Sequence, residues 1–125
     1  VANGDISDAN RVRAVLQFTR AAAVMIGRAA LGQPWIFKTI KTELQTGQSG
    51  KVTWEEKVET ILRHWQLHFA CYEPQIAVRT FRKHLLWYLT GWPEFDEVRP
   101  KLLQASDAEA QYRILTEYFS CQGWK

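Results

Sequence analysis

Along most of this chain apolar residues return every three or four positions, the period of an amphipathic helix; two short runs within the first thirty residues do not follow it. There, Val1-Ala2 and Ala21 to Ile26 are short continuous apolar runs, the pattern of buried strands, and each leads into a glycine loop. Asn3-Gly4-Asp5 follows the first run and Gly27-Arg28 the second. Between them Ser7 is placed to cap a helix from about Asp8 to Thr19, with Val12, Val15 and Leu16 inward. The second strand is expected over Ala22 to Ile26. Pro34 then suits the first turn of a helix carrying Trp35, Ile36, Ile40 and Leu44, and Gly47 ends it.

Thr46 to Lys51, rich in Gly, Ser and Gln, reads as a linker. Beyond it the period is helical throughout. Thr53-Trp54-Glu55-Glu56 has the form of a capping box and opens a helix with Trp54, Val58, Ile61, Trp65 and Phe69 on one face. Pro74 begins another, with Val78, Phe81, Leu85 and Tyr88 inward and Gly91 closing it. A shorter helix is expected over Glu94 to Gln104. Ser106-Asp107-Ala108-Glu109 is read as a second capping box, before Tyr112, Leu115 and Phe119.

Two strand–loop–helix units in succession match the last two units of a (β/α)₈ barrel, whose final loops often hold a phosphate. The expected fold is therefore mainly α as the chain stands. Terminal β/α units of a TIM barrel occupy residues 1–47, and a C-terminal antiparallel helical bundle occupies 52–125. Because the chain starts on the first of these strands, it is expected to be the end of a larger protein.

Composition narrows the field. At 125 residues, with 46% hydrophobic and 13% aromatic positions, the chain has enough apolar surface for a packed core, which excludes a disordered tail. A formal charge of +3 permits a nucleic-acid partner without requiring one. Cys71 and Cys121, in no CxxC spacing, are not a disulfide framework. No apolar run is long enough to span a bilayer, and the start of the chain has no signal-peptide pattern. A reducing, cytoplasmic setting with no membrane partner is expected.

Chemistry can sit in two places. Asn3-Gly4-Asp5 alone most often makes a tight turn, and Gly27-Arg28 alone says less. Together they carry more, because glycine lets backbone approach a ligand, Arg28 offers a fork suited to phosphate, and both loops fall at one end of a parallel sheet. The second place is the helix from Pro74 to Thr90. Arg79, Arg82, Lys83 and His84 cluster there, and no Asp or Glu occurs between Glu73 and Glu94. Arg79, Arg82 and Lys83 are expected to share a face opposite Phe81, Leu85 and Tyr88. That face is either an ordinary solvated one or, beside Trp87, Tyr88 and Trp92, a surface for phosphates and unstacked bases.

His64, His68 and Cys71 have helical spacing that could suit a metal, but no HExxH motif or second ligand pair accompanies them. Among Trp65, Leu67 and Phe69 they read as core or partly buried residues, and no metal is expected. No Ser-His-Asp arrangement or carboxylate pair stands out either.

VANGDI (1–6), VMIGRAALGQPWIF (24–37) and RKHLLWYL (82–89), with Gly91 and Pro93 after the last, occur in an order and at intervals that resemble the tRNA-dihydrouridine synthases, closest to their bacterial branch. The similarity covers essentially the whole chain. The resemblance implies a monomeric parent enzyme with an FMN-binding barrel and a C-terminal helical domain that helps grip tRNA. By that resemblance Asn3, Gly4 and Asp5 match the loop after the seventh barrel strand and Gly27 and Arg28 the loop after the eighth, both contacting FMN around its phosphate. Arg79, Arg82, Lys83 and His84 are then expected on the RNA-facing domain.

The family's reaction, so implied, uses NADPH to reduce FMN, with hydride passing to C6 of a uridine and a cysteine supplying the proton at C5; the base must leave its stack. That cysteine stands in an Asn-x-Gly-Cys-Pro context which this sequence lacks, and neither Cys71 nor Cys121 has those neighbours. The fragment by itself is expected to be inactive. One departure is local. Where the family usually has Thr-Gly-Ala-Asp before the eighth strand, this chain has Thr19-Arg20-Ala21-Ala22. If that position needs a positive φ, arginine there costs about 1 kcal/mol or more.

Two other readings compete: a free-standing helical RNA-binding module, and part of a different FMN-dependent barrel oxidoreductase acting on a small substrate. The basic aromatic helix argues against the latter.

Overall fold

The computed structural model describes residues 1–125, in six α-helices and one short 3₁₀ turn. The chain divides into two compact units, Val1–Val52 and Thr53–Lys125.

In the first unit the two expected strands are reduced to a single parallel bridge between Ala2 and Val24. The Ala2 N–H donates to the Ala23 carbonyl at 2.9 Å and the Met25 N–H to the Ala2 carbonyl at 2.8 Å. Only Val1 and Ala2 precede the Asn3 loop, so the first segment is too short for a ladder, and a lone two-stranded pair is marginal.

Helix α1 (Ala9–Thr19) follows. Its cap is Asp8, not Ser7: the Asp8 carboxylate accepts the Arg11 N–H at 2.8 Å, while Ser7 donates its hydroxyl to Asp8. The backbone bond from Arg11, with help from Ser7, holds the Asp8 carboxyl below the usual carboxylate range. A carboxylate is the stronger acceptor for a free helical N–H, so it displaces the neighbouring hydroxyl from that role. At the other end Arg20 closes α1 with φ 53°, in the left-handed region, its N–H bonded to the Leu16 carbonyl at 2.9 Å. This is the place where glycine is expected from the family pattern, and the backbone does adopt the conformation that favours it.

Helix α2 (Ile36–Thr46) ends on Gly47 at φ 76°. Pro34 stands in the turn before it and Trp35 at its cap, one step outside the expected first helical turn. Ile6, Ala9, Val12 and Val15 pack with Ile36 and Ile40 into a small core, with Leu16, Val24 and Ile26 against its edge. Leu44, expected inward, is exposed, as are Phe18, Met25 and Phe37; Phe18 is 92% accessible. The apolar stripes of α1 and α2 meet only each other's helix here, so the far side of each stays open.

The second unit is a helical bundle: α3 (Trp54–Cys71), α4 (Pro74–Leu89), α5 (Phe95–Gln104) and α6 (Ala108–Cys121). Helix α3 packs on α4, α4 on α5 and α6, and α5 on α6. The capping box forms as the sequence predicts, Glu56 N–H to Thr53 Oγ1 at 3.2 Å and Thr53 N–H to Glu56 Oε2 at 2.9 Å. The second box does not: Asp107, one residue later than expected, caps α6 by accepting the Ala110 N–H at 2.7 Å.

Val58, Ile61, Leu62, Val78, Phe81, Leu85, Leu115 and Phe119 are buried at the centre, joined by Tyr88 and Tyr118. Trp65 and Phe69, expected on the inward stripe of α3, are half-buried and stack with ring centroids 3.9 Å apart. Gln111 is fully buried. Its Oε1 accepts the Trp65 indole N–H at 3.1 Å and its Nε2 donates to the Val78 carbonyl at 3.2 Å, tying α6 to both α3 and α4. A polar side chain with both ends satisfied fixes the register of three helices where apolar contacts alone would allow sliding.

Candidate functional site

The two glycine loops of the first unit meet. Asn3, Asp5, Gly27 and Arg28 border one cleft of about 410 Å³. Arg28 Nη2 is paired with the Asp5 carboxylate, bridging loops that lie on either side of α1 in sequence. Both side chains stand largely in solvent, 82% and 76% accessible. An exposed ion pair of this kind contributes about 0–1 kcal/mol, so an incoming dianion can take the guanidinium from Asp5 at little expense.

Local geometry explains why these residues converge. Asn3 folds its Oδ1 back onto the Gly4 N–H at 2.8 Å, and Asp5 takes a left-handed conformation, φ 48°, which turns the chain into Ile6 and the core. Gly4 faces a neighbouring concavity instead, and its carbonyl is gripped by Arg11 through Nε at 3.3 Å and Nη2 at 3.2 Å. Arg11 is a functional candidate that sequence reasoning missed; its one signal is a cation in the first turn of the helix after a glycine loop. Gly27 heads the 3₁₀ turn Arg28–Ala30, and no atom lies within 4 Å of where its Cβ would be. The protein leaves that space empty, which is what a backbone needs if a ligand is to lie against it.

The four basic residues of α4 do not share one exposed face. Arg79 and Lys83 are exposed, and the Lys83 ammonium lies 5.9 Å from the ring centroid of Trp87, itself 43% accessible. Arg82 is half-buried, and its Nη2 donates to the Ala105 carbonyl at 3.0 Å, so the expected three-residue face loses its middle member to a structural role. His84 turns toward α3, edge-on to His64 with centroids 4.7 Å apart. Tyr88 is buried, and Trp92 packs on Trp54 at 4.5 Å, leaving Trp87 as the open aromatic beside the cations. Cys71 is exposed and outside the histidine cluster.

Burial lowers the basicity of all three histidines. His84 falls to about 4, burial first and the charges of His64, Lys83 and His68 after it. His64 and His68 are also held below the ordinary imidazole value, chiefly by burial, with His68 adding to the effect on His64 and Lys83 to that on His68. All three are neutral at neutral pH. No helix is long and apolar enough to cross a membrane.

The first unit thus holds a two-loop cleft with an exposed guanidinium paired to Asp5, and the second bears exposed cations beside an open tryptophan. The chain belongs to the dihydrouridine synthase family: the profile described as Dihydrouridine synthase (Dus) matches residues 1–121. It is similar to tRNA-dihydrouridine synthase B of Pseudomonas syringae pv. tomato, 41% identical over 125 residues, which is 98% of this chain and 37% of that protein. The proteins of the same name from Escherichia coli K12 and Pectobacterium carotovorum are 40% and 39% identical, each over 95% of this chain and 37% of theirs. The chain thus spans a little over a third of the length of these relatives.

Proposed function

We propose that this chain is the C-terminal portion of a flavin-dependent tRNA-dihydrouridine synthase, a cytoplasmic enzyme that reduces uridine in tRNA to 5,6-dihydrouridine with NADPH as reductant. In this reading residues 1–47 are the last β/α units of the FMN barrel and 52–125 a tRNA-binding domain. The carrying observation is the meeting of Asn3, Asp5, Gly27 and Arg28 around one cleft, in a chain of this family.

The residues present fit the FMN phosphate. Arg28 supplies a charged fork, the open side of Gly27 admits close approach, and Arg11 holds the Gly4 carbonyl turned back so that the loop keeps its shape. The flavin, when bound, supplies hydride transfer between the nicotinamide and the pyrimidine. This chain's part is to hold the phosphate end. The exposed faces of Phe18, Met25, Phe37 and Leu44 support the barrel reading, since apolar surface of this extent calls for covering elements. In the second unit Arg79, Lys83 and Trp87 offer the backbone and stacking contacts that RNA uses.

The test is made in a full-length enzyme carrying this sequence. Arg28→Ala removes a charge-assisted contact of roughly 1.5–3 kcal/mol, about ten- to hundred-fold in affinity. Bound flavin, read by absorbance after gel filtration, should drop accordingly, and Gly27→Ala should lower it without changing the melting temperature of flavin-free protein. Wild-type flavin retention in both variants would remove the phosphate role from these loops. The 125-residue chain alone, given FMN, NADPH and unmodified tRNA, should form no dihydrouridine.

A further inference from the structure

The hairpin of α3 and α4 gathers His64, His68 and His84 so that one ring nitrogen from each lies within 4.8 Å of the other two. We infer that these three imidazoles form a binding site for a divalent transition metal, zinc by its ligand chemistry, with a fourth position open to water. The inference is independent of the flavin and tRNA reading and stands on the second unit alone.

His64 and His68 lie one turn apart on α3, so their rings leave the same face of the helix. His84 reaches them from α4. The ring centroids are 4.7 Å apart for His64 and His84, 5.8 Å for His68 and His84, and 6.3 Å for His64 and His68. The rings are steeply inclined to one another, at 67–86°. Imidazoles on zinc at about 2.0–2.1 Å hold their nitrogens roughly 3.4 Å apart, so small ring rotations close the site.

The surrounding hydrogen bonds prepare two of the ligands. With the Thr80 hydroxyl hydrogen on the Ile76 carbonyl at 2.8 Å, its oxygen accepts from His68 Nε2 at 2.7 Å. That proton on Nε2 leaves the lone pair of His68 on Nδ1. His64 Nδ1 lies 3.0 Å from the Tyr88 hydroxyl, which accepts from it when Nε2 ligates. Metal-bound histidines are held in this way by a partner on the second nitrogen. His84 makes no hydrogen bond and has both nitrogens to offer.

The donor set selects the ion. Three neutral imidazoles with no carboxylate suit zinc and reject magnesium and calcium, which take oxygen ligands. Three protein ligands with one place vacant is also the composition of zinc sites that keep a water. The Lys83 ammonium acts on both His68 and His84; it opposes the cation and favours an anion, such as hydroxide, at the open place.

Cys71 follows His68 by three positions on the same helix, and Cys121 is a second exposed thiol, so the experiment uses the chain with Cys71→Ser and Cys121→Ser. Stripped of metal by a chelator, this protein is titrated with Zn²⁺ against a chromophoric chelator and, separately, with Co²⁺. One equivalent of each should bind, with visible d–d bands of four-coordinate cobalt and no thiolate charge transfer. His68→Gln and His84→Gln should each weaken zinc binding at least tenfold while keeping the wild-type circular dichroism. Absence of stoichiometric binding by the folded parent overturns the site, as does unchanged affinity in both variants. If a variant fails to fold, the cobalt spectrum of the parent decides alone: octahedral bands or none refute the three-imidazole site.

Discussion

Arg82 donates through Nη2 to the carbonyl of Ala105 at 3.0 Å, joining the middle of α4 to the end of α5. Ala105 is buried, so losing the donor strips a hydrogen bond from a carbonyl with little access to solvent. Arg82→Gln should therefore lower the stability of the helical unit by about 1–3 kcal/mol, read as a shift in urea midpoint. Lys83→Gln, on the exposed side of the same helix, should stay within about 0.5 kcal/mol.

The same pair separates support from recognition. In a full-length enzyme carrying this sequence, Arg79→Gln and Lys83→Gln should each weaken tRNA binding and flatten its log–log salt dependence by just under one unit. Titrations at several salt concentrations measure this. An unchanged slope with unchanged affinity in both variants would leave α4 as a solvated face.

Arg20 occupies the left-handed end of α1 at φ 53°, where a side chain crowds the backbone. Arg20→Gly should relieve that strain and raise stability by about 1 kcal/mol, less what the more flexible unfolded chain gives back. Thermal or urea unfolding of the two proteins, followed by a probe in the first unit, gives the answer; a destabilised glycine variant contradicts the account.

Tyr118 is buried, donates to the Pro93 carbonyl at 2.7 Å, and has its phenol pushed up to about 12, first by burial and then by the charge of Glu94. Between its ordinary value of 10.0 and about 12 the folded state keeps a proton that the unfolded state releases. Its contribution is whole below pH 10 and is lost as pH rises through 12. Wild type should lose stability over that window faster than Tyr118→Phe, by denaturant midpoints taken at successive pH values.

Limited trypsin digestion should cut first at Lys51, beyond the Gly47 terminus of α2 and before the cap at Thr53. The fragment beginning near Val52 should outlast the rest, since its bundle closes around its own core while Phe18, Met25 and Phe37 of the first unit lie uncovered. Survival of the first unit alone would refute this.

What could be read in the sequence was what four or five consecutive residues decide. The Thr53–Glu56 box, the Gly47 and Gly91 stops and the inward positions of Val78, Phe81 and Leu85 are local signals, and all appear as read. Ser7 against Asp8, and Ser106 against Asp107, were choices between adjacent acceptors that spacing cannot make. Arg82 looked like its neighbours because a long side chain at the edge of an apolar face can turn either way, and only Ala105, from another helix, settles which. His84 follows the cations of α4 in sequence, but its partners, His64 and His68, belong to α3, which spacing within α4 does not reveal. The strands faded for a related reason: an apolar run is a strand only where neighbours complete its ladder.

The bridge between Ala2 and Val24 bears on the order of events as the chain acquires its shape. It spans the whole of α1, so it gains nothing until that helix has formed and swung the two ends together. Helices α3 and α4, by contrast, are joined through Tyr72 and Glu73 alone, and the contacts nearest that turn, such as His68 with Thr80, are closer in sequence. The contacts beside that turn are thus expected to close before the two glycine loops meet, an order that φ-values at Phe81 and Val24 would test.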